Sequence, residues 1–483
     1  MSDKSLNRRK FLKVAAFGTA AGALAACGAA PTAQIVEVTR QVEKQVEVTK
    51  EVVKEVQSTV QVEVTKEVVK EVAVTAAPVD LQGELTVWGH ADHPLDNAGQ
   101  AFMAKYPGVK FTFVGEDGWD KKVEAALAAG SGLPDMVWYE ADATQVAARR
   151  GILLDVTEMV KKHEADLAPA KLAEARYQGK YYGMPGDITP NNYWYRTDIT
   201  EKAGSKDINP DIKYDEFLQL AKDVKGKTGA SMYVMNSNFN GQGILPFLVP
   251  HYSLGGNVSD ESGENIVIDD ELGQQAMAFA KQAWDQKVGL DADWFSPPYW
   301  GAIKEGKLGG TWSPPWMRGF FETEVTSPER GQGKWRNMLV PAYPGAKVRS
   351  NVWGGATLVG FKAVKDPALV MAYMEYTFAT VEGATVTGNW GIIPPFLPWL
   401  KGYFKLTKAS LFEPGWDWTG QVLKAMENMR TDFYRLPAYG VMMGSLDKYG
   451  LPMLKGDKPI KDGMKEWGDY IRAENKKLLD AIK

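Results

Sequence analysis

Cysteine is all but missing: the 483-residue chain has one, Cys27, so no disulfide framework can hold it and a large packed core must. Histidine is nearly as scarce, four in all. Only His90 and His93 lie close together, with Asp92 between them, and lacking a further paired Cys or His that loop reads as polar loop chemistry and not as a metal site. No apolar run reaches the roughly 20 residues a membrane-spanning helix needs. There is no basic stripe either: 56 Lys+Arg stand against 60 Asp+Glu, a net charge of -4, which argues against a nucleic-acid partner. Neither a Gly-x-Ser-x-Gly nucleophile turn nor eight strand-helix repeats occur, and no cofactor is expected.

What is present begins with Asn7-Arg8-Arg9-Lys10-Phe11-Leu12-Lys13, a basic head with paired arginines, followed by an Ala-rich apolar stretch over 14–26. This order is that of a cleaved export signal. Leu24-Ala25-Ala26-Cys27 resembles the lipobox of bacterial lipoproteins, which implies cleavage before Cys27 and lipid on its thiol. The arginine pair resembles a twin-arginine signal, with Asn7 where Ser or Thr is usual. Residues 1–26 are thus read as signal, and the protein as exported to the periplasm or cell surface and anchored to the membrane through Cys27.

Residues 34–75 contain no aromatic and no Gly. Val-Glu-Val-Thr-Lys-Glu-Val-Val-Lys-Glu-Val runs from Val46 to Val56 and again from Val62 to Val72. One small apolar residue type among charges cannot build a core. Val-Glu-Val alternation suits an extended strand, whereas valines at every fourth position from Val52 to Val72 suit a narrow helical stripe. Residues 27–81 are read as a charged stalk in either case.

All 16 tryptophans lie beyond Pro78, and the texture from residue 82 onward is globular. Leu85-Thr86-Val87-Trp88 reads as a strand, then Ala98, Phe102, Met103 and Tyr106 fall at helical spacing before Pro107-Gly108. A second strand follows at 109–113, which implies a parallel pair with a crossover helix. A helix over 121–129, stopped by Gly130-Ser131-Gly132, precedes another strand at 136–139. The fold class is α/β, and ligands are expected beyond the carboxyl ends of the strands, placing Asp92, Glu140 and Asp142 at a cleft rim.

Six stretches resemble the extracellular solute-binding proteins of ABC importers, in particular the sugar-binding family that includes maltose-binding protein. They are residues 83–88, Tyr106-Pro107-Gly108-Val109, residues 130–135, residues 179–185 with 195–198, residues 216–229, and Gly354-Gly355 with a helix over 366–378. The resemblance implies a two-lobed fold over 82–483 with the ligand enclosed between hinge-linked lobes. Lobe 1 is expected at about 82–187 and 338–390, lobe 2 at about 190–337 and 391–483. The chain is expected to cross at 185–195, to return at 335–341, and to cross again at 391–395.

A sugar needs hydrogen-bond partners for hydroxyls and rings against its apolar faces. The resemblance implies that Trp316, at the family's spacing after Gly306, stacks on sugar, that Tyr139 and Asp142 supply a ring and a carboxylate, and that Asp92 supplies another. Asn240 stands as an amide at a carboxylate position, and Met443 stands where the family has a second stacking Trp. By position, Trp119, Glu140, Trp312, Trp353 and Gly354 join the expected site. Asp187 and Asn191, in the first hinge passage, serve equally as turn caps. As a loop platform, Trp316 is expected to contribute little to the stability of the empty protein.

The implied function is capture of a sugar or oligosaccharide by lobe closure and its delivery to an ABC permease, without catalysis. Several carboxylates in one cleft also suit a cation such as a polyamine. A surface glycoside hydrolase is a further alternative, since an aromatic cleft with two acids suits that chemistry too, and a sensor subunit delivering its ligand-bound state to a membrane receptor is another.

Overall fold

The computed structural model describes residues 80–482 apart from 92 and 117; the signal, the stalk and Cys27 lie outside the described residues. Two sheets organise the chain. The first contains β1 (Gln82–Gly89), β2 (Gly108–Gly115), β3 (Met136–Glu140), the short β6 (Met184–Pro185) and β10 (Ala356–Gly360), in the order β2-β1-β3-β10-β6. Between β3 and β6, β4 (Arg176–Tyr177) and β5 (Lys180–Tyr181) form a small antiparallel hairpin. The second sheet is β8 (Gly310–Ser313), β7 (Asn192–Arg196) and β9 (Trp335–Met338), antiparallel throughout.

The first strand-helix-strand unit follows from its local signals. β1 and β2 run parallel from Gln82↔Gly108 to Gly89↔Gly115, joined by the helix Leu95–Lys105. That helix buries Leu95, Ala98 and Phe102 on one face and ends before Pro107, which cannot continue it. The next helix, Trp119–Ala129, ends on Gly130 at φ +67°, a left-handed cap for which glycine is suited. β10 enters antiparallel to β3, so the sheet is mixed.

Each sheet is covered on both faces, which explains why β3, β7 and β10 are buried without alternation. In β7, Tyr193 and Tyr195 point into one core while Trp194 between them points into another with Trp335 and Phe412. Likewise Met136 and Trp138 of β3 face one core, and Val137 and Tyr139 the opposite one. The result is a two-lobed α/β fold.

Three segments run side by side between the lobes. The Gly186 amide donates to the Ala356 carbonyl at 2.9 Å, that of Asn191 to Asn351 at 2.8 Å, and that of Ile188 to Ile393 at 2.7 Å. The return passage therefore lies near 351–356, not at 335–341. Residues 335–338 are instead an edge strand of the second sheet, and Val340, Tyr343 and Trp353 still pack in that sheet's core. The portion 338–355 belongs with the second lobe, and the first resumes at β10.

Candidate functional site

A cavity of about 900 Å³ opens between the two sheets at the carboxyl end of β3. Its first-lobe wall carries His90, His93, Trp119, Trp138, Tyr139, Glu140 and Asp142. Trp294, Phe295, Trp316, Phe320, Arg435, Tyr439 and Met443 form the opposing wall, and Asp187, Trp353, Gly354, Gly355, Trp390 and Ile392 lie around the passages.

Ten of the lining residues are Trp, Tyr or Phe. Trp119 packs on Tyr139 at 5.6 Å between ring centres and edge-on to His90 at 5.8 Å. Across the cavity Trp294 contacts Trp316 at 5.5 Å and Trp353 at 5.7 Å. Trp316 donates its indole N–H to the Trp353 carbonyl at 3.0 Å, over Gly354, whose φ of +80° and missing side chain admit the ring. It also packs against the cores of both lobes. Trp316 is thus a half-buried junction residue, which corrects the expectation that it would be a free loop platform.

The polar floor is an ion network. Glu140 ends β3 and Asp142 lies in the first turn of the helix Ala141–Arg149, where a negative charge suits the helix dipole. From the second lobe, the Arg435 guanidinium donates to Glu140 Oε2 at 2.7 Å, lies 3.5 Å from Asp142 Oδ1, and bonds the carbonyls of Gly354 and Gly355. Asp142 fits against the helix Pro437–Met443 because Gly440 has no side chain there. Burial opposes the charge of Arg435, yet Glu140, Tyr439, Glu174 and Asp142 more than offset it and raise its pKa. Lys171 pairs with Glu174 in the same buried layer.

Asp187 accepts the Ala356 amide at 2.7 Å. Burial pushes its pKa up to about 7, against the opposing pull of Lys171. Asp142 is also raised by burial, partly offset by Arg435. His93 is buried against Trp138, with ring centres 4.7 Å apart, and burial lowers its pKa to about 3. Its Nδ1 accepts the Leu95 amide at 3.3 Å. Nε2 of His93 and Nε of Arg435 have no protein partner. With Nδ1 of His93 accepting, Nε2 carries the proton, so both unpartnered groups are donors.

Of the residues singled out from the sequence, Trp119, Tyr139, Glu140, Asp142, Asp187, Trp316, Trp353 and Gly354 line this cavity. Trp312, Asn191 and Asn240 do not. Trp312 lies in β8 with 1% of its surface exposed, packed against Tyr193 and Phe217 in the second-lobe core. Asn191 is buried between hinge strands and donates to Asn351. Asn240 is bonded by Asn236 at 2.9 Å in a loop outside the cavity lining. Asp92 lies outside the described residues. Trp138, Trp294, Phe295, Phe320, Trp390, Arg435 and Tyr439 were not anticipated; they arrive from distant segments, and no spacing in the chain connects them. Among the described residues there is no group of three or more His, Cys, Asp or Glu able to hold a metal, and no helix is long and apolar enough to cross a membrane.

The sequence profile of the bacterial extracellular solute-binding protein family matches residues 97–398. The chain is 25% identical over 317 residues to the lactose-binding protein of Rhizobium radiobacter, covering 62% of this chain and 71% of that one. It is 24% identical over 319 residues to the arabinooligosaccharide-binding protein of Bacillus subtilis, covering 64% of this chain and 66% of that one. Among solved structures, the fold is similar to an ABC transporter associated binding protein from B. animalis subsp. lactis in complex with β-1,6-galactobiose. That likeness has a TM-score of 0.70 at 22% identity, over 82% of this chain and 98% of the other.

Proposed function

Because this chain belongs to the bacterial extracellular solute-binding protein family, we propose that it captures a sugar or oligosaccharide between its lobes and delivers it to the permease of an ABC importer. The observation that carries this reading is a cavity walled by aromatic rings from both lobes. Rings on both walls let a ligand with apolar C–H faces stabilise the closed state more than the open one.

The charged groups favour a neutral ligand over a polyamine. Glu140 and Asp142 are already engaged by Arg435, and the unpartnered buried nitrogens of two cavity residues, His93 and Arg435, are donors. A sugar oxygen can accept from donors, whereas an ammonium cannot. The same pairing speaks against hydrolysis by Glu140 and Asp142: glycosidic cleavage uses two carboxyl groups flanking the bond, and these two acids meet one guanidinium. Before capture, the chain is exported by its signal at 1–26, lipidated at Cys27 and raised from the membrane by the stalk at 27–81. A C27A variant that remains in the membrane fraction, unshed by salt or carbonate, contradicts this anchor.

Thermal unfolding of the full chain with neutral sugars tests the binding reading, since a ligand of the folded state alone raises the melting temperature. At least one sugar is expected to raise it. New reducing ends appearing on incubation with an oligosaccharide would contradict the non-catalytic reading.

A further inference from the structure

Phe295 stands apart from the other rings of the cavity in two respects. It is 39% exposed, one of three large apolar side chains left open to solvent among the described residues. Its φ is +59°, a region that a bulky L-residue rarely occupies. Asp293, Trp294, Phe295 and Ser296 form a turn in which the Ser296 amide donates to the Asp293 carbonyl at 3.1 Å. Phe295 holds its third position, where a turn with positive φ calls for Gly or Asn.

The loop is held firmly enough to keep this conformation. Ser296 caps the helix Pro297–Lys304, Trp294 is seated over the bare backbone of Gly241, and the Asp293 carboxylate accepts from Asn238 Nδ2 at 2.9 Å. Backbone strain over-determined in this way, on an exposed ring at a cavity wall, signals a role for the ring. Phe295 meets Trp294 at 4.6 Å and Phe320 at 5.0 Å, continuing the aromatic wall outward to solvent.

We infer that Phe295 is the outer stacking platform of the cavity and selects ligands with a second sugar ring. This rests on the sugar reading given above. A single ring seated deep against Trp316 does not need the rim; a di- or trisaccharide projects its next C–H face onto it. In the empty protein the ring packs against Trp294, Trp300 and Phe320 at the cost of a strained backbone, and relief of that strain offsets the loss of those contacts, so removing the ring does not weaken the empty protein. Glycine at this position relieves the strain.

Calorimetric titration of the full chain with galactose against lactose, glucose against maltose, and arabinose against arabinotriose tests the inference. The wild-type chain is expected to bind at least one longer sugar more tightly than its monosaccharide. F295G should weaken the longer sugar roughly tenfold more than the monosaccharide and leave the melting temperature of the empty protein undiminished. F295Y, which keeps a ring, should preserve the preference. The inference is overturned if F295G keeps the preference, if it weakens both sugars alike, if the unliganded protein melts lower, or if the wild-type chain shows no preference. Absence of binding to all six sugars by the wild-type chain would instead overturn the sugar reading itself.

Discussion

Arg435 and Glu140 are 295 positions apart in the chain, yet the guanidinium Nη2 of one donates to Oε2 of the other at 2.7 Å. The pair joins the second lobe to the strand end of the first. Since Arg435 also bonds two hinge carbonyls, one side chain ties both lobes and a passage between them.

Replacing Arg435 by Met leaves Glu140 and Asp142 without their counter-charge and two hinge carbonyls without a donor. Removing one partner from a buried ion network costs about 3 kcal/mol. E140Q, which leaves Arg435 its carbonyls and Asp142, is expected to lose only about 1 kcal/mol. Urea denaturation of both variants compares the losses; equal effects would show that the carbonyl bonds and the Asp142 contact together contribute nothing.

Asp187 and the buried histidines pull the pH dependence of stability in opposite directions. His93 and His251 have their pKa lowered to about 3 by burial, so below pH 6.5 the unfolded chain binds protons that the folded chain does not, and stability falls with acidification. Asp187, raised to about 7 by burial, binds its proton more readily when folded and adds stability as pH falls from 7 toward 4. D187N removes that offset. Its acid-side loss should therefore be steeper than that of the wild-type protein by about 1.4 kcal/mol per pH unit between pH 4 and 6.5. Parallel stability curves would show that Asp187 titrates normally.

Trp316→Ala removes a ring that touches the cores of both lobes, and a loss of about 3 kcal/mol is expected even without ligand. Trp316→Phe keeps most of the packing and gives up the bond to the Trp353 carbonyl, about 1 kcal/mol. An unchanged melting curve for the alanine variant would restore the picture of an independent platform.

At Gly186, an added methyl would sit 2.1 Å from the Trp138 ring. G186A must push Trp138 off the hinge and disturb its contact with His93, at a cost of about 1–3 kcal/mol. Near-ultraviolet circular dichroism should register the displaced indole. A native spectrum and stability would mean that the hinge backbone yields without cost.

How much was legible in the sequence depended on whether a feature was local. Ala98 and Phe102 lie within one helix and the Pro107-Gly108 stop follows directly after it, so the first parallel pair could be read directly. The return passage could not: residues 335–341 are as strand-like as any hinge, and only pairing with β7 assigns Trp335–Met338 to the second sheet. Trp312 and Trp316 sit in one Gly- and Pro-rich stretch, but Trp312 belongs to a strand whose pleat turns it into the core, while Trp316 follows the turn at Pro314-Pro315. Arg435, Trp294 and Trp390 meet only in the folded molecule, so no spacing announced them. Phe295 did carry a local cue, a bulky residue just before a Ser-Pro-Pro helix start.

Fluorescence of the cavity tryptophans, which include Trp119, Trp294, Trp316 and Trp353, tests the central claim most directly. The full chain would be titrated with lactose, maltose and arabinotriose, and separately with spermidine. A saturable change with at least one sugar and none with spermidine is the predicted result. Saturation by spermidine, with all three sugars silent, would contradict a sugar-binding cavity and assign recognition to Glu140, Asp142 and Asp187.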